Sequence, residues 1–146
     1  MNVTTQWVDG LCFLTTTGSG HSIVTDAAPS VGGHNRGARP MELLLAGMAG
    51  CSSIDVVQIA KKQRQDIVDC VAKVEAKRAD TVPSVFTEIH IHFDVYGHDL
   101  VEASIAKAVQ LSADKYCSAS IMLGKSAKVS HSFAIHAPKV AEPEEA

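Results

Sequence analysis

Residues 40–64 constrain this chain most. Met41, Leu43, Leu44, Leu45, Met48 and Ala49 place apolar groups on nearly every side of a helix, and a helix that is apolar all round belongs in a core. Pro40 suits the first helical position, where its missing N–H is not needed. Glu42 adds negative charge to the first turn, and Lys61, Lys62 and Arg64 put cations near the end, each matching the helix dipole. A long buried helix that surfaces at its basic end is therefore expected. The apolar run at 43–49 is interrupted by Gly47 and is too short to span a bilayer, so no membrane partner is expected.

Strand patterns flank that helix. Two short strands, at 6–8 and 11–16, surround Asp9-Gly10, a strong hairpin signal. A third strand is expected at 21–25, and residues 27–38, with Pro29, Gly32, Gly33, Asn35 and Gly37, read as loop. Residues 68–77 alternate in polarity. In 85–96, Ile89, Ile91, Phe93 and Val95 oppose Glu88, His90, His92 and Asp94. Such alternation predicts an antiparallel sheet covered on one face, ending at Gly97. A helix over 100–116, a short helix over 118–123 and a last strand over 128–135 complete the order βββ-α-ββ-α-α-β. Strand runs separated by helices predict an α+β fold in one domain, residues 1–137, with a Pro/Glu-rich disordered tail at 138–146.

Charge excludes some classes. The 146 residues carry 13 basic and 16 acidic side chains, a net charge of −3, and no long basic run, so the footprint of a nucleic-acid binder is missing. Residues 1–10 show no basic stretch leading into an apolar core, so no secretory signal is read. The thiols are expected to be reduced, in the cytoplasm.

The four cysteines, Cys12, Cys51, Cys70 and Cys117, form no CxxC pair, and no zinc site is expected on that pattern. Cys12 and Cys70 occupy apolar strand positions and read as packing residues. Cys51 lies three turns into the helix among Gly47, Ala49, Gly50, Ser52 and Ser53. Each glycine costs roughly 1 kcal/mol against alanine in a helix interior. A close helix–helix contact or an access channel would offset that cost. Cys117 precedes a new helix, where the dipole lowers a thiol pKa, and Lys115 adds charge. Either cysteine alone also fits simple packing.

Together these residues carry a resemblance. Arg39-Pro40-Met41-Glu42-Leu43 running to Gly50-Cys51-Ser52, with Lys115-Tyr116-Cys117-Ser118, resembles the two cysteine motifs of the OsmC/Ohr family. Residues 48–57, 60–71 and 111–123 are especially similar to its YhfA-like branch. The similarity spans roughly residues 6–135. It implies an intertwined homodimer with two long central helices wrapped by antiparallel sheets from both chains, and active sites at the interface. It implies a thiol-dependent peroxidase, with Cys51 attacking a hydroperoxide and Cys117 resolving the sulfenic acid as a disulfide. An external thiol reductant completes the cycle, and no cofactor or metal is implied.

One part of the family pattern differs. In the peroxidase branches an arginine activates the first cysteine and is held by a glutamate. That glutamate's position is Met41 here; the acid stands at Glu42, one helical step of ~100° away. Arg36 and Arg39 are the candidate activators, and Met41, Leu44 and Met48 the candidate pocket lining. Asp55, four residues after Cys51, shares its helical face and, if ionised nearby, would oppose thiolate formation. The alternatives are a binding protein for a small hydrophobic ligand and a thiol sensor without turnover. His90 and His92, with His98, His131 and His136, are spaced for metal but read as a solvated sheet face. His21 and His34 are weaker pocket candidates.

Overall fold

The Asp9-Gly10 turn joins β1 (Val3–Asp9) to β2 (Cys12–Thr17), with Gly10 at a left-handed φ of 51°. β3 (Ser22–Thr25) pairs antiparallel on the other side of β2, giving a three-stranded sheet in the order β1-β2-β3. The computed structural model describes residues 1–138, which divide at Ala46/Gly47 into two compact units. This sheet belongs to the first. Cys12 is buried in it, while Trp7, Val8, Leu14, Ile23 and Val24 stay exposed.

The loop expected after β3 is organised around one buried carboxylate. Asp26 is 1% exposed and accepts the backbone N–H groups of Ala27, His34 and Arg36 at 2.8, 3.1 and 3.1 Å. Gly33 is required there, because a Cβ would fall 1.9 Å from the Ala27 carbonyl oxygen. A single 3₁₀ turn, Pro29–Val31, interrupts the loop. The chain then enters α1 (Pro40–Lys62) through a capping arrangement: Arg39 donates its backbone N–H to Glu42 Oε2 at 2.8 Å.

In the second unit, β4 (Asp66–Arg78), β5 (Phe86–His98) and β6 (Lys128–His136) form a sheet with β5 at its centre. β4 pairs antiparallel with β5, but β6 runs parallel to it, so the sheet is mixed and not antiparallel throughout. The reason lies in the connection. The α2 (Glu102–Leu111) and α3 (Ser118–Leu123) segments intervene and return the chain to the start of β5, the crossover a parallel pair needs. Gly97 does not end β5 as expected. The strand continues to His98, and Gly97 lets β4 approach so closely that a Cβ would stand 2.3 Å from the Asp66 carbonyl oxygen.

The core holds Ile89, Ile91, Phe93 and Val95 of β5, all at most 1% exposed, with Ile105, Ala108 and Val109 of α2. From α1 it takes Met48, Ser52, Val56 and Ala60, each fully buried, a stripe at four-residue spacing. Within one chain α1 is not buried all round: Leu44 is 47% and Ile54 60% exposed. By length and composition α1 would also pass as a membrane-spanning helix, a test that core helices of soluble proteins pass too. The expected tail at 138–146 lies, beyond residue 138, outside the described residues.

The backbone N–H of Arg36 is foremost among the groups that hold the Asp26 carboxyl below its ordinary range, outweighing burial. Its folded pKa is thus lower than its unfolded one, so its stabilisation is complete above an ordinary carboxylate pKa of ~3.9 and is lost as pH falls through the depressed value. Amide exchange across residues 27–39 should accelerate below that pH. Asp26→Ala should show fast exchange at neutral pH and little further acid response; a protected loop in that variant would show that Asp26 is not its anchor.

Candidate active site

The helix expected over 100–116 changes character near its end. α2 stops at Leu111 and one π turn, Ser112–Tyr116, carries the chain to Cys117. The Cys117 N–H donates to Ser112 O at 2.9 Å, the five-residue bond that defines a π turn. Such turns often mark functional positions. This one places Cys117 at the N-cap of α3, where its sulfur accepts the Ser120 N–H at 3.3 Å.

α1 supplies the other half of the site. Ser52, on the buried stripe, donates its hydroxyl to Cys117 Sγ at 3.1 Å. The Met48 carbonyl lies 4.0 Å from that sulfur. One residue before Ser52, Cys51 is only partly buried. Its Sγ, the Cys117 Sγ and a carboxylate oxygen of Asp55 all lie within 4.8 Å of one another. Ser112 Oγ holds Asp55 Oδ2 at 3.2 Å and also reaches the Ser52 carbonyl at 3.4 Å. Two cysteines remote in sequence thus face each other, one sheltered and one reachable from solvent. Both are free thiols.

Burial pushes the Cys117 thiol above its ordinary pKa, and neighbouring Cys51 adds to the rise; the Ser52 hydroxyl and Ser120 N–H oppose it. The helix-dipole expectation is thereby corrected, because loss of water around a buried sulfur outweighs the donors at the N-cap. The Lys115 ammonium lies 5.3 Å from the ring centre of Tyr116. Cys70 is pushed up to about 11, chiefly by burial, and remains a protonated packing thiol at neutral pH.

The candidate activators have other partners. Arg36 forms ion pairs with Asp9 and Asp26. The Arg39 guanidinium donates to Asn35 Oδ1 at 2.7 Å, to Gly37 O at 2.9 Å and to Asp26 O at 3.4 Å. Glu42 caps the backbone of Arg39 and makes no ion pair with its side chain. All these bonds stay within the first unit. Met41 and Leu44 also belong to that unit. Met48, expected to line a ligand pocket, has no exposed surface and belongs to the core.

The histidines are engaged as well. His90 bonds Ser130 and Ser132 at 2.7 and 2.8 Å, and His92 bonds Ser132 at 2.7 Å. His136 bonds Asp94 at 2.7 Å and His98 bonds Asp66 at 2.9 Å, while His131 bonds Ser120 at 3.4 Å. They form a hydrogen-bonded face, and among the described residues no three of them converge on a metal position.

Ser52, Ser112 and Ser120 were not singled out as site residues in the sequence. The usable signal for Ser52 was its place between Met48 and Val56 at four-residue spacing, which forces a hydroxyl into the core and so demands a partner. If Ser52 tempers the Cys117 pKa, Ser52→Ala should raise it further, because the thiolate loses a hydrogen-bond donor. Thiolate ultraviolet absorbance against pH in a chain lacking the other three cysteines would read the shift; an unchanged titration would remove Ser52 from that role.

A family model described as OsmC-like protein matches residues 33–132. Protein YhfA of Escherichia coli (strain K12) is 44% identical over 135 residues, 92% of this chain and 98% of that one. A crystal structure of a hypothetical protein from Aquifex aeolicus VF5 superposes with a TM-score of 0.83 at 31% identity, covering 94% of this chain and 97% of the other. The Bacillus subtilis organic hydroperoxide resistance protein OhrB has the same fold, with a TM-score of 0.62 at 20% identity, covering 91% and 96%.

Proposed function

The chain belongs to the OsmC-like family, and from that premise we propose that it is a soluble, cytoplasmic thiol peroxidase acting on organic hydroperoxides. The observation that carries the proposal is the meeting of Cys51 and Cys117, with Cys51 only partly buried and Cys117 fully buried. The Cys51 thiolate attacks the peroxide oxygen, releasing an alcohol and leaving a sulfenic acid. Cys117 then displaces water from that sulfur and forms the disulfide. Two equivalents of an external thiol return both cysteines to the reduced state and leave as their own disulfide. The electrons come entirely from thiols, so the cycle draws on no cofactor.

The raised pKa of Cys117 suits a resolving thiol, which stays protonated and does not compete for oxidant. The OhrB name, organic hydroperoxide resistance protein, supports the substrate class. The bonds made by Arg36 and Arg39 stay within the first unit, and the part given to Cys51 rests on its meeting with Cys117. On mixing reduced protein with cumene hydroperoxide, thiols should disappear much faster than from free cysteine at the same pH. Mass spectrometry should find Cys51 linked to Cys117. Cys51→Ser should abolish turnover, and Cys117→Ser should drive Cys51 to higher oxidation states. Oxidation no faster than free cysteine defeats the peroxidase reading.

The active form proposed is a homodimer joined along α1. A Cβ added at Gly47 or Gly50 meets nothing within 4 Å, and Leu44 and Ile54 present apolar surface beside them. A second helix approaching this face would account for two glycines where alanine is worth roughly 1 kcal/mol more each. Light scattering should give twice the chain mass for the wild type. Gly50→Ile should shift it toward monomer with helix content preserved; a dimer that tolerates the bulk does not use this face.

A further inference from the structure

We infer that the reduced site is also a binding site for one thiophilic divalent cation of the zinc class, held by Cys51, Asp55 and Cys117. The sequence pattern argued against zinc because no local cysteine pair exists. The fold supplies the set non-locally, from one turn of α1 and the N-cap of α3. Two sulfurs and a carboxylate oxygen within 4.8 Å of one another match a zinc donor set of thiolates and carboxylate. In a tetrahedral site with Zn–S near 2.3 Å and Zn–O near 2.0–2.2 Å, these donors stand roughly 3.5–3.8 Å apart. Side-chain rotation by about an ångström closes that difference. The cation displaces two thiol protons to solvent and leaves one coordination position for water or an exogenous thiol.

Independent features around the donors point the same way. Metal ligands are oriented by hydrogen bonds from a surrounding layer, and two of the three donors have them. Ser112 Oγ fixes Asp55 at 3.2 Å, and Ser52 Oγ and the Ser120 N–H meet Cys117 at 3.1 and 3.3 Å. Each donates toward an atom that would carry negative charge in a complex. Asp55 also lines a cleft of about 240 Å³ together with Gln58, Lys62 and Tyr116, so one of the three donors borders space open to solvent. The peroxide cycle gives the carboxylate beside the two thiols no part. As the third donor to a cation it becomes a functional part of the site. Because the same sulfurs are used, cation and disulfide are mutually exclusive, so the ion would keep the pair reduced and out of reach of oxidant.

The test uses the reduced full-length chain without peroxide, so its outcome is independent of peroxidase activity. Titration with Co²⁺ should produce a thiolate-to-cobalt charge-transfer band saturating at one ion per chain, and Zn²⁺ should displace it. Asp55→Asn should weaken binding at least about tenfold and Ser112→Ala about 10- to 100-fold, while Cys51→Ser and Cys117→Ser should each abolish the high-affinity band. Wild-type protein that develops no thiolate band overturns the proposal, whatever the variants do. So does a band whose affinity is the same in Asp55→Asn and in both serine variants, which would place the ion elsewhere.

Discussion

A sulfur atom with no exposed surface depends on the polar groups that meet it, and the rest of the site follows from where those groups come from. Cys117 Sγ is held between Ser52 Oγ and the Ser120 N–H. The first belongs to the middle of α1 and the second to the opening turn of α3. Ser52 can reach only because it lies on the buried stripe of α1 with Met48, Val56 and Ala60. Once that stripe faces the core, Cys51 falls beside it at the edge of solvent, and Asp55 follows one turn later.

The π turn is the second half of the same constraint. Had α2 continued regularly beyond Leu111, Cys117 would be another position on a helix surface. The extra residue per turn, sealed by the Cys117 N–H to Ser112 O bond, ends the helix so that the thiol points inward and α3 begins there. Ser112 serves twice, because its one hydroxyl proton is also shared between Asp55 and the Ser52 carbonyl. One serine therefore couples the path of the backbone at the second cysteine to the helix that carries the first.

The polar face of the second sheet shows how a pattern suggestive of chemistry is absorbed by structure. His90 and His92 alternate with core residues in β5, and the parallel register of β6 sets Ser130 and Ser132 opposite them. The serines take up the ring nitrogens, and Asp94 gathers Lys73 and His136, which holds its carboxyl far below the usual range. The face is cohesive through hydrogen bonds. The carboxylate that does stand beside candidate ligands is Asp55.

The features legible from the order of residues were local ones. Proline and glutamate at the start of α1, the Asp-Gly hairpin, and the two-residue alternation of β5 depend on neighbours within a few positions, and all reappear in the structure. The order βββ-α-ββ-α-α-β was legible for that reason, and the two cysteine motifs were legible through family resemblance. Which side of α1 is buried had to wait for the folded chain, because a helix apolar all round offers several stripes and packing chooses one. The fold alone decided that β6 runs parallel, that Glu42 caps a backbone and leaves the arginine side chains to other partners, and that burial overrides the helix terminus at Cys117. Charge, desolvation and hydrogen bonding act through distances in space, and the distances that matter here join residues far apart in the chain.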